Sequence, residues 1–345
     1  MNKPILSICI PTYNRAKFLD KLLLQIFEFD DLLKSRLQIC ISDNASTDNT
    51  QEVILKWKNK IEISSTKQVC NIGGSRNFQA VAKLARCPWT ILMGDDDRFL
   101  ISGLENLLII LNKEKPDTWI LGDIQNQDLS SLLRDHRPGK YSRHQLKKKM
   151  LIKSLDAFGF MSMYVVPSHS LRKFIELDVT QIYGWPHITL FFMELPKIEI
   201  CIVRESIVLR GSDHGEITQT WHPHAWLNMM MQKTKLCSSH MENGINFNSL
   251  LALREYVRWT FVRQLFAAKL VLGDNKKICS DAIGYINETQ IYKVIKYFLI
   301  GFVFLALQVP SWVIRLARNI VGKKDSLNLG GEKNSPSTDA MKRGW

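Results

Sequence analysis

The chain has 345 residues, 46% of them apolar and 23% charged, a globular composition that excludes a disordered or low-complexity protein. Its 46 basic and 33 acidic residues leave a formal charge of +13, so the expected partner is anionic: a phosphorylated substrate, a negatively charged membrane face or nucleic acid. No nucleic-acid-binding module is readable, which removes the last of these.

The first 110 residues alternate strand and helix signals. Ile5–Ile10 is a short β-branched run closed by Pro11 and reads as a buried strand. Ala16 to Phe29 carries Phe18, Leu19, Leu22, Leu23 and Ile26 at helical spacing. Leu37–Ile41 is a second strand that runs into the turn-rich SDNASTDNT, and Thr50 to Trp57 is a helix. A weaker strand spans Ile61 to Val69, the loop Asn71-Ile72-Gly73-Gly74 follows, and Ser75 to Ala85 is a helix. Trp89–Met93 is a strand leading into Gly94-Asp95-Asp96-Asp97, and Ser102 to Leu111 is again helical. Such alternation implies βαβ units and a mostly parallel sheet, in which ligands bind beyond the carboxyl ends of the strands.

The middle is less regular. Trp119–Leu121, Gly159–Val166 and Ile198–Leu209 read as strands, Ile188–Leu195 as a short helix, and the basic stretch Arg134–Lys149 as a loop or flap. From about Phe247 the pattern is helical, with Leu250–Leu272 one long helix and a polar tail at the end. From Leu251 onward there are 15 Lys/Arg against 7 Asp/Glu, so most of the charge excess sits there. Tyr297–Ile314 is 18 residues without a charge, flanked by Lys293, Lys296, Arg315 and Arg318. A membrane-surface helix, a spanning or re-entrant anchor and a buried core helix all fit it, and the basic flanks favour a surface helix on anionic lipid. Seven cysteines without a CxxC pair imply reduced thiols, and no signal peptide is visible, so the catalytic part is expected in the cytoplasm.

Three polar clusters fall at successive strand ends. Asp95, Asp96 and Asp97 are hard oxygen ligands suited to Mg2+ or Mn2+ bridging a diphosphate; an acidic turn starting the next helix is the plain alternative. Asp43 suits a hydrogen bond to a nucleobase or ribose, or an Asx turn opening the next helix. Tyr13 suits stacking on a base, or half-burial. The loop Asn71–Asn77 opens a helix, a natural anion site, with Arg76 adding a charge for phosphate.

The segments SICIPTYNRAKFLDKLL, ICISDNASTDNT, NIGGSRNFQAVAKLA and WTILMGDDD, in this order and spacing, resemble glycosyltransferase family 2 of the GT-A fold. The likeness is specific over residues 4–112 and fades over 113–215; within the family it is greatest for O-antigen and surface-polysaccharide sugar transferases of the abequosyltransferase kind. It implies an α/β GT-A catalytic domain over 1–215 (nucleotide-sugar half 1–112, acceptor half 113–215). A helical, basic, membrane-associating region over 216–322 and a disordered tail over 323–345 complete the expected organisation.

The resemblance also implies roles. Pro11 and Tyr13 would line the nucleobase pocket, Asp43 would bond the base, Arg76 would lie near the phosphates, Asp95 would contact ribose or sugar, and Asp96 would hold the metal with Asp97 close by. Many relatives have Asp-x-Asp, whose first position aligns here with Gly94, so which of the three aspartates holds the metal stays open. Inverting members use a carboxylate base, often in a Glu-Asp pair. None is present here; His187 stands at that place, as base or merely as an orienting group, with Asp156 and Asp178 as alternatives. Phe158–Tyr164 matches the acceptor-side strand, with no explicit chemistry in its side chains. His214, beyond Arg210 and Asp213, would complete the metal or diphosphate site.

The expected reaction is transfer of a sugar from a nucleotide diphosphate sugar to an acceptor hydroxyl, with inversion, on a polyprenyl diphosphate-linked glycan at the cytoplasmic face of the inner membrane. A catalytically inactive GT-A-like membrane-bound binding protein and a sugar nucleotidyltransferase are the alternatives. The latter would carry a Gly-rich loop where Pro11-Thr12-Tyr13-Asn14-Arg15 stands.

Overall fold

The computed structural model describes residues 3–114, 118–127, 129, 138–141, 160–178, 187, 190, 194, 198–211, 265, 269, 275–288, 293–311 and 313. The chain forms two compact units, Met1–Ser212 and Asp213–Trp345.

The first unit opens with β1 (Leu6–Thr12), α1 (Ala16–Glu28), α2 (Asp31–Lys34), β2 (Leu37–Asp43), α3 (Thr50–Lys58), β3 (Ile63–Lys67), α4 (Gly74–Ala82) and β4 (Trp89–Leu92). It continues with β5 (Arg98–Phe99), α5 (Ile101–Leu111), β6 (Thr118–Gln125), β7 (Gly139–Tyr141), a 3-10 turn (Met161–Met163), β8 (Tyr164–Pro167), α6 (Ser168–Ile175) and β9 (Glu199–Leu209). The amphipathic reading of α1 holds: Phe18, Leu19, Leu22, Leu23 and Ile26 are the buried stripe. Every residue of β1 from Leu6 to Ile10 is buried, as expected of a central parallel strand covered on both faces. The short α2 is fixed at its start by Asp30, whose side chain accepts from Leu33 N at 2.7 Å.

Among the described residues the strands form one sheet of order β3-β2-β1-β4-β8-β6-β9-β5, with β7 beside β9. β1 runs parallel to β2 and β4, and β2 to β3. β8 is antiparallel to both β4 and β6, and β9 is parallel to β6. The carboxyl ends of β1, β2, β4, β6 and β9 therefore meet at one edge, and the antiparallel β8 brings its start there too. β5 pairs Arg98 with Leu209, which draws the end of β9 toward the residues just after β4. Gly103 on α5 sits so close to β9 that a Cβ would meet Ser206 O at 2.1 Å, so this contact requires glycine.

Some elements differ from the sequence reading. The strand expected over Gly159–Val166 starts as a 3-10 turn, and only Tyr164–Pro167 pairs. Gly139–Tyr141, in the expected flap, is an edge strand on β9; the rest of Arg134–Lys149 except Pro138 lies outside the described residues. α6 carries two apolar anchors, Leu171 and Phe174, in eight residues, too few to show a period. His187, Leu190 and Glu194 are helical and buried, the i, i+3, i+7 stripe expected of the helix near Ile188–Leu195.

In the second unit, α7 (Asn275–Glu288) and α8 (Lys293–Gln308) pack together, and Ile278, Ala282, Leu299 and Val303 are buried. Buried Lys269 donates to Leu307 O, and Asn275 Nδ2 does so at 3.5 Å, placing a cation at the α8 carboxyl end. Of the expected long helix Leu250–Leu272, only Leu265 and Lys269 are described, both helical. The exposed side of α8 carries Tyr297, Phe304 and Leu305. Among the described residues no helix is long and apolar enough to cross a membrane.

Candidate active site

Three consecutive aspartates occupy the turn after β4. Asp95 is buried; its Oδ2 accepts from Thr12 Oγ1 at 2.8 Å and its Oδ1 from Arg15 Nε at 2.7 Å. Asp96 is the outermost, and its Oδ2 pairs with the same guanidinium at 2.8 Å. Asp97 is buried between Ser162 Oγ, which donates to its Oδ2, and Gly211 N, which donates to its Oδ1 at 3.1 Å. Ser162 Oγ also accepts from Gly94 N at 2.9 Å, so one hydroxyl holds both ends of the turn. A Cβ on Gly211 would meet Asp96 O at 2.5 Å, so only glycine permits this approach. The turn is thus held from β1, from the entrance of α1, from the 3-10 turn before β8 and from the end of β9.

Burial raises the carboxyl of Asp97 to about 7, with the Asp96 charge adding to it and Ser162 opposing. Burial likewise raises Asp95 to about 6, with Arg15 working against it. Arg15 loses hydration in the same place, but the charges of Asp95 and Asp96 outweigh this and hold it protonated.

The neighbouring loops are tied to one another. Asn14, at φ 54°, takes a hydrogen bond from Thr47 N at 2.7 Å and donates its own N–H to Ser46 Oγ at 2.8 Å. Asn44 donates to Asn71 Oδ1 and accepts from Ile72 N, each at 2.9 Å, joining the second and third loops. Buried Asn77 accepts from Ser42 Oγ at 2.7 Å and donates to Ser42 O and Thr12 O, pinning α4 across the ends of β1 and β2. α4 begins without a side-chain cap, and Arg76 in its first turn is exposed. Uncapped amides and a nearby guanidinium suit a phosphate.

The sequence-derived candidates are placed as follows. Asp95, Asp96 and Asp97 lie in one turn; Pro11 and Tyr13 are half-buried at the end of β1; Arg76 opens α4 on the same edge. Asp43 is fully buried, its Oδ1 accepting from Ser46 N at 2.9 Å and its Oδ2 from Gln51 Nε2, so it shapes the loop after β2. His187 is buried, stacked on Phe78 at 6.3 Å and tilted on Tyr164 at 5.5 Å; Tyr164 lies two residues from Ser162. Asp178 is exposed just beyond α6, and Asp156 and His214 lie outside the described residues. Arg15, Ser162 and Gly211 hold the aspartate turn but were not among the sequence-derived candidates, while Thr12 lies in the polar stretch that follows the first strand. The segment Phe158–Tyr164 therefore does carry chemistry, through Ser162. Arg15 had a signal, a lone cation directly after the loop of β1, whereas Ser162 and Gly211 had none.

A cavity of about 440 Å³ at the opposite end of β4, lined by Arg86, Trp89, Glu114 and Arg172 among others, is bordered by none of these residues. The aspartate turn and the polar loops lie at the other, carboxyl edge of the sheet. A hard divalent cation fits there: Asp96 Oδ1 has no hydrogen bond among the described residues, Asp97 is adjacent, and Mg2+-like ions use one or two carboxylates plus phosphate and water. Among the described residues no three side chains form a complete metal cage.

The family model for glycosyl transferase family 2 matches residues 7–170. The chain is 38% identical over 198 residues to the abequosyltransferase RfbV of Salmonella typhimurium, across 53% of this chain and 59% of that protein. It is 25% identical over 116 residues to the poly(ribitol-phosphate) β-N-acetylglucosaminyltransferase TarS of Staphylococcus aureus, across 33% of this chain and 20% of that protein. The chain thus spans less than two thirds of the length of these curated relatives. Among solved structures, S. aureus TarS 1–349 in complex with UDP-GlcNAc aligns with a TM-score of 0.62 at 13% identity over 88% of each chain, a likeness of fold. The architecture is the GT-A fold.

The raised carboxyls make a pH prediction. An unfolded aspartate titrates near about 3.9, while folded Asp97 titrates at about 7. Between these values the folded state holds a proton that the unfolded chain has lost, so stability falls as pH rises through that window. Thermal melts in chelator should show Asp97→Asn close to wild type at low pH and increasingly more stable than it toward neutrality. A gap that does not change with pH would contradict the burial of an ionisable Asp97.

Proposed function

We propose, from the match of residues 7–170 to the glycosyl transferase family 2 model, that the whole chain transfers a sugar from a nucleotide diphosphate sugar to an acceptor hydroxyl, with inversion and with a divalent cation. The single observation that carries this is the Asp95–Asp97 turn beside the ends of β1 and β2 and the uncapped start of α4. A binding protein has no use for three carboxylates gathered there against their repulsion.

The chemistry follows from the side chains. Pro11 and Tyr13 flank the base, and the loop braced by Asp43 forms the wall of that pocket. Arg76 and the first amides of α4 offset the charge growing on the leaving diphosphate. Asp96, with Asp97 behind it, would hold Mg2+ or Mn2+, which supplies Lewis-acid stabilisation of that diphosphate. The acceptor hydroxyl attacks the anomeric carbon as the bond to the diphosphate oxygen breaks, and the hydroxyl proton passes to a base. His187 is the candidate base, or the group that orients the acceptor.

The similarity to an O-antigen sugar transferase supports a surface-polysaccharide glycan as acceptor, carried on a polyprenyl diphosphate. The membrane reading is supported by α8, which is 16 residues long with Tyr297, Phe304 and Leu305 exposed, has Lys293 and Lys296 in its first turn and is followed in sequence by Arg315 and Arg318. At about 1.5 Å per residue it is shorter than the roughly 30 Å hydrocarbon core, which favours lying at the surface of the cytoplasmic face.

Release of nucleoside diphosphate from a panel of nucleotide sugars with Mn2+ tests the reaction. Asp96→Ala should lower it by about a hundredfold or more. His187→Ala should lower turnover by a similar factor of about 10² with donor KM unchanged. Full activity in Asp96→Ala, or a raised donor KM in His187→Ala, would contradict these assignments. For the membrane reading, the full chain should float with vesicles containing anionic lipid and not with neutral ones, and Phe304→Ser with Leu305→Ser should weaken this. Flotation unaffected by those changes would sink α8 as the contact.

A further inference from the structure

We propose that Arg15 is the resident counter-cation of the acidic turn, and that its bridge across Asp95 and Asp96 makes divalent-metal binding conditional on the diphosphate. The proposal rests on the donor reading above.

The guanidinium fork spans two carboxylates, with Nε on Asp95 at 2.7 Å and Nη2 on Asp96 at 2.8 Å. Its side chain is only 13% exposed and lies over the Phe18 ring at 4.5 Å. The backbone beneath it is also fixed, because Arg15 O accepts from Phe18 N and Leu19 N to start α1. Arg15 is therefore a built part of the site and not a passing surface cation.

Its position blocks the metal. Among the described residues, Thr12 and Arg15 engage both oxygens of Asp95 and Arg15 engages one of Asp96, which leaves Asp96 Oδ1 without a hydrogen bond on this pair. A dication arriving alone meets one open oxygen and a positive charge a few ångströms away. It either tolerates the repulsion or displaces a doubly bonded guanidinium. A dication arriving with a diphosphate brings negative charge that offsets both terms and gives the released guanidinium a new anion. Arg76 is differently placed: it is exposed on the first turn of α4, ready for phosphate from the outset. The two arginines thus divide the work, Arg76 receiving the phosphates and Arg15 admitting the metal only in their company. Such conditional entry would keep the enzyme from binding metal idly and would make metal and donor affinities mutually dependent.

The test is Mn2+ binding to the full chain, read from the loss of the free-ion electron paramagnetic resonance signal beyond the loss that the same nucleotide causes without protein, alone and with UDP, GDP, CDP or dTDP. Wild type should bind Mn2+ weakly alone and on the order of tenfold or more tightly with its matching nucleotide. Arg15→Gln should bind Mn2+ alone on the order of tenfold tighter than wild type, with the nucleotide-dependent gain reduced by the same factor. Arg15→Lys keeps the charge but cannot fork across two carboxylates; it should also bind Mn2+ alone more tightly than wild type, and it carries the test if Arg15→Gln does not fold. Arg15→Gln binding no tighter than wild type, or Arg15→Lys binding as wild type does, overturns the proposal while leaving a nucleotide-dependent wild type intact. A wild type that takes up no Mn2+ with any of these nucleotides overturns the donor reading, and this proposal with it.

Discussion

Three carboxylates in consecutive residues repel one another, and two of them here are buried as well. A turn of this kind exists only if surrounding groups offset the charge and replace the lost water. In this protein those groups come from four separate places: Thr12 at the end of β1, Arg15 at the entrance of α1, Ser162 before β8 and Gly211 after β9. Each is distant in sequence from the aspartates it holds. The position of the acidic turn is therefore a property of the assembled sheet, and the architecture of the first unit follows from the need to bring these groups to one edge.

The topology meets that need. Parallel β1, β2 and β4 deliver their carboxyl ends together, and the polar loops behind β1 and β2 bond to one another through Asn14, Ser46 and Thr47. The antiparallel β8 delivers its beginning to that edge, which is why a serine just before it reaches Asp97. The β5 pairing with β9 closes the other side and positions the Gly211 amide. Asn77 and the Asn44–Asn71 bond then fix the start of α4 beside the same edge, so the uncapped helix start and the acidic turn share one frame. Polar side chains bonded in this way cannot reorient freely, which is what the proposed stabilisation of a leaving diphosphate requires.

The sequence made the βαβ half readable because its period and its punctuation agree. The apolar stripe of α1, the β-branched run of β1 and the turn-rich SDNASTDNT each point to one state. The aspartates, Arg76 and the Gly-Gly loop were visible because each directly follows a readable strand or opens a readable helix. What stayed hidden was hidden for physical reasons. The contacts of Ser162 and Gly211 with Asp97 span 65 and 114 residues, and nothing local marks either residue. Asp43 was readable as a polar residue at a strand end, while its bonds to Ser46 N and Gln51 Nε2 within the loop after β2 were not. The short α6 and the 3-10 start of the acceptor-side strand lacked the length that a period requires.

The proposed activity requires that the edge bearing Asp95–Asp97 be a nucleotide-diphosphate site that works with a metal. The most direct measurement is a thermal-shift screen of UDP, GDP, CDP, dTDP and CMP, each with and without Mn2+. A ligand that binds only the folded state adds stability as RT ln(1 + [L]/Kd), about 2.7 kcal/mol at a hundred times Kd, or several degrees in Tm. One nucleoside diphosphate raising Tm only when Mn2+ is present is the predicted result. No shift with any of the five, with or without the metal, would contradict it.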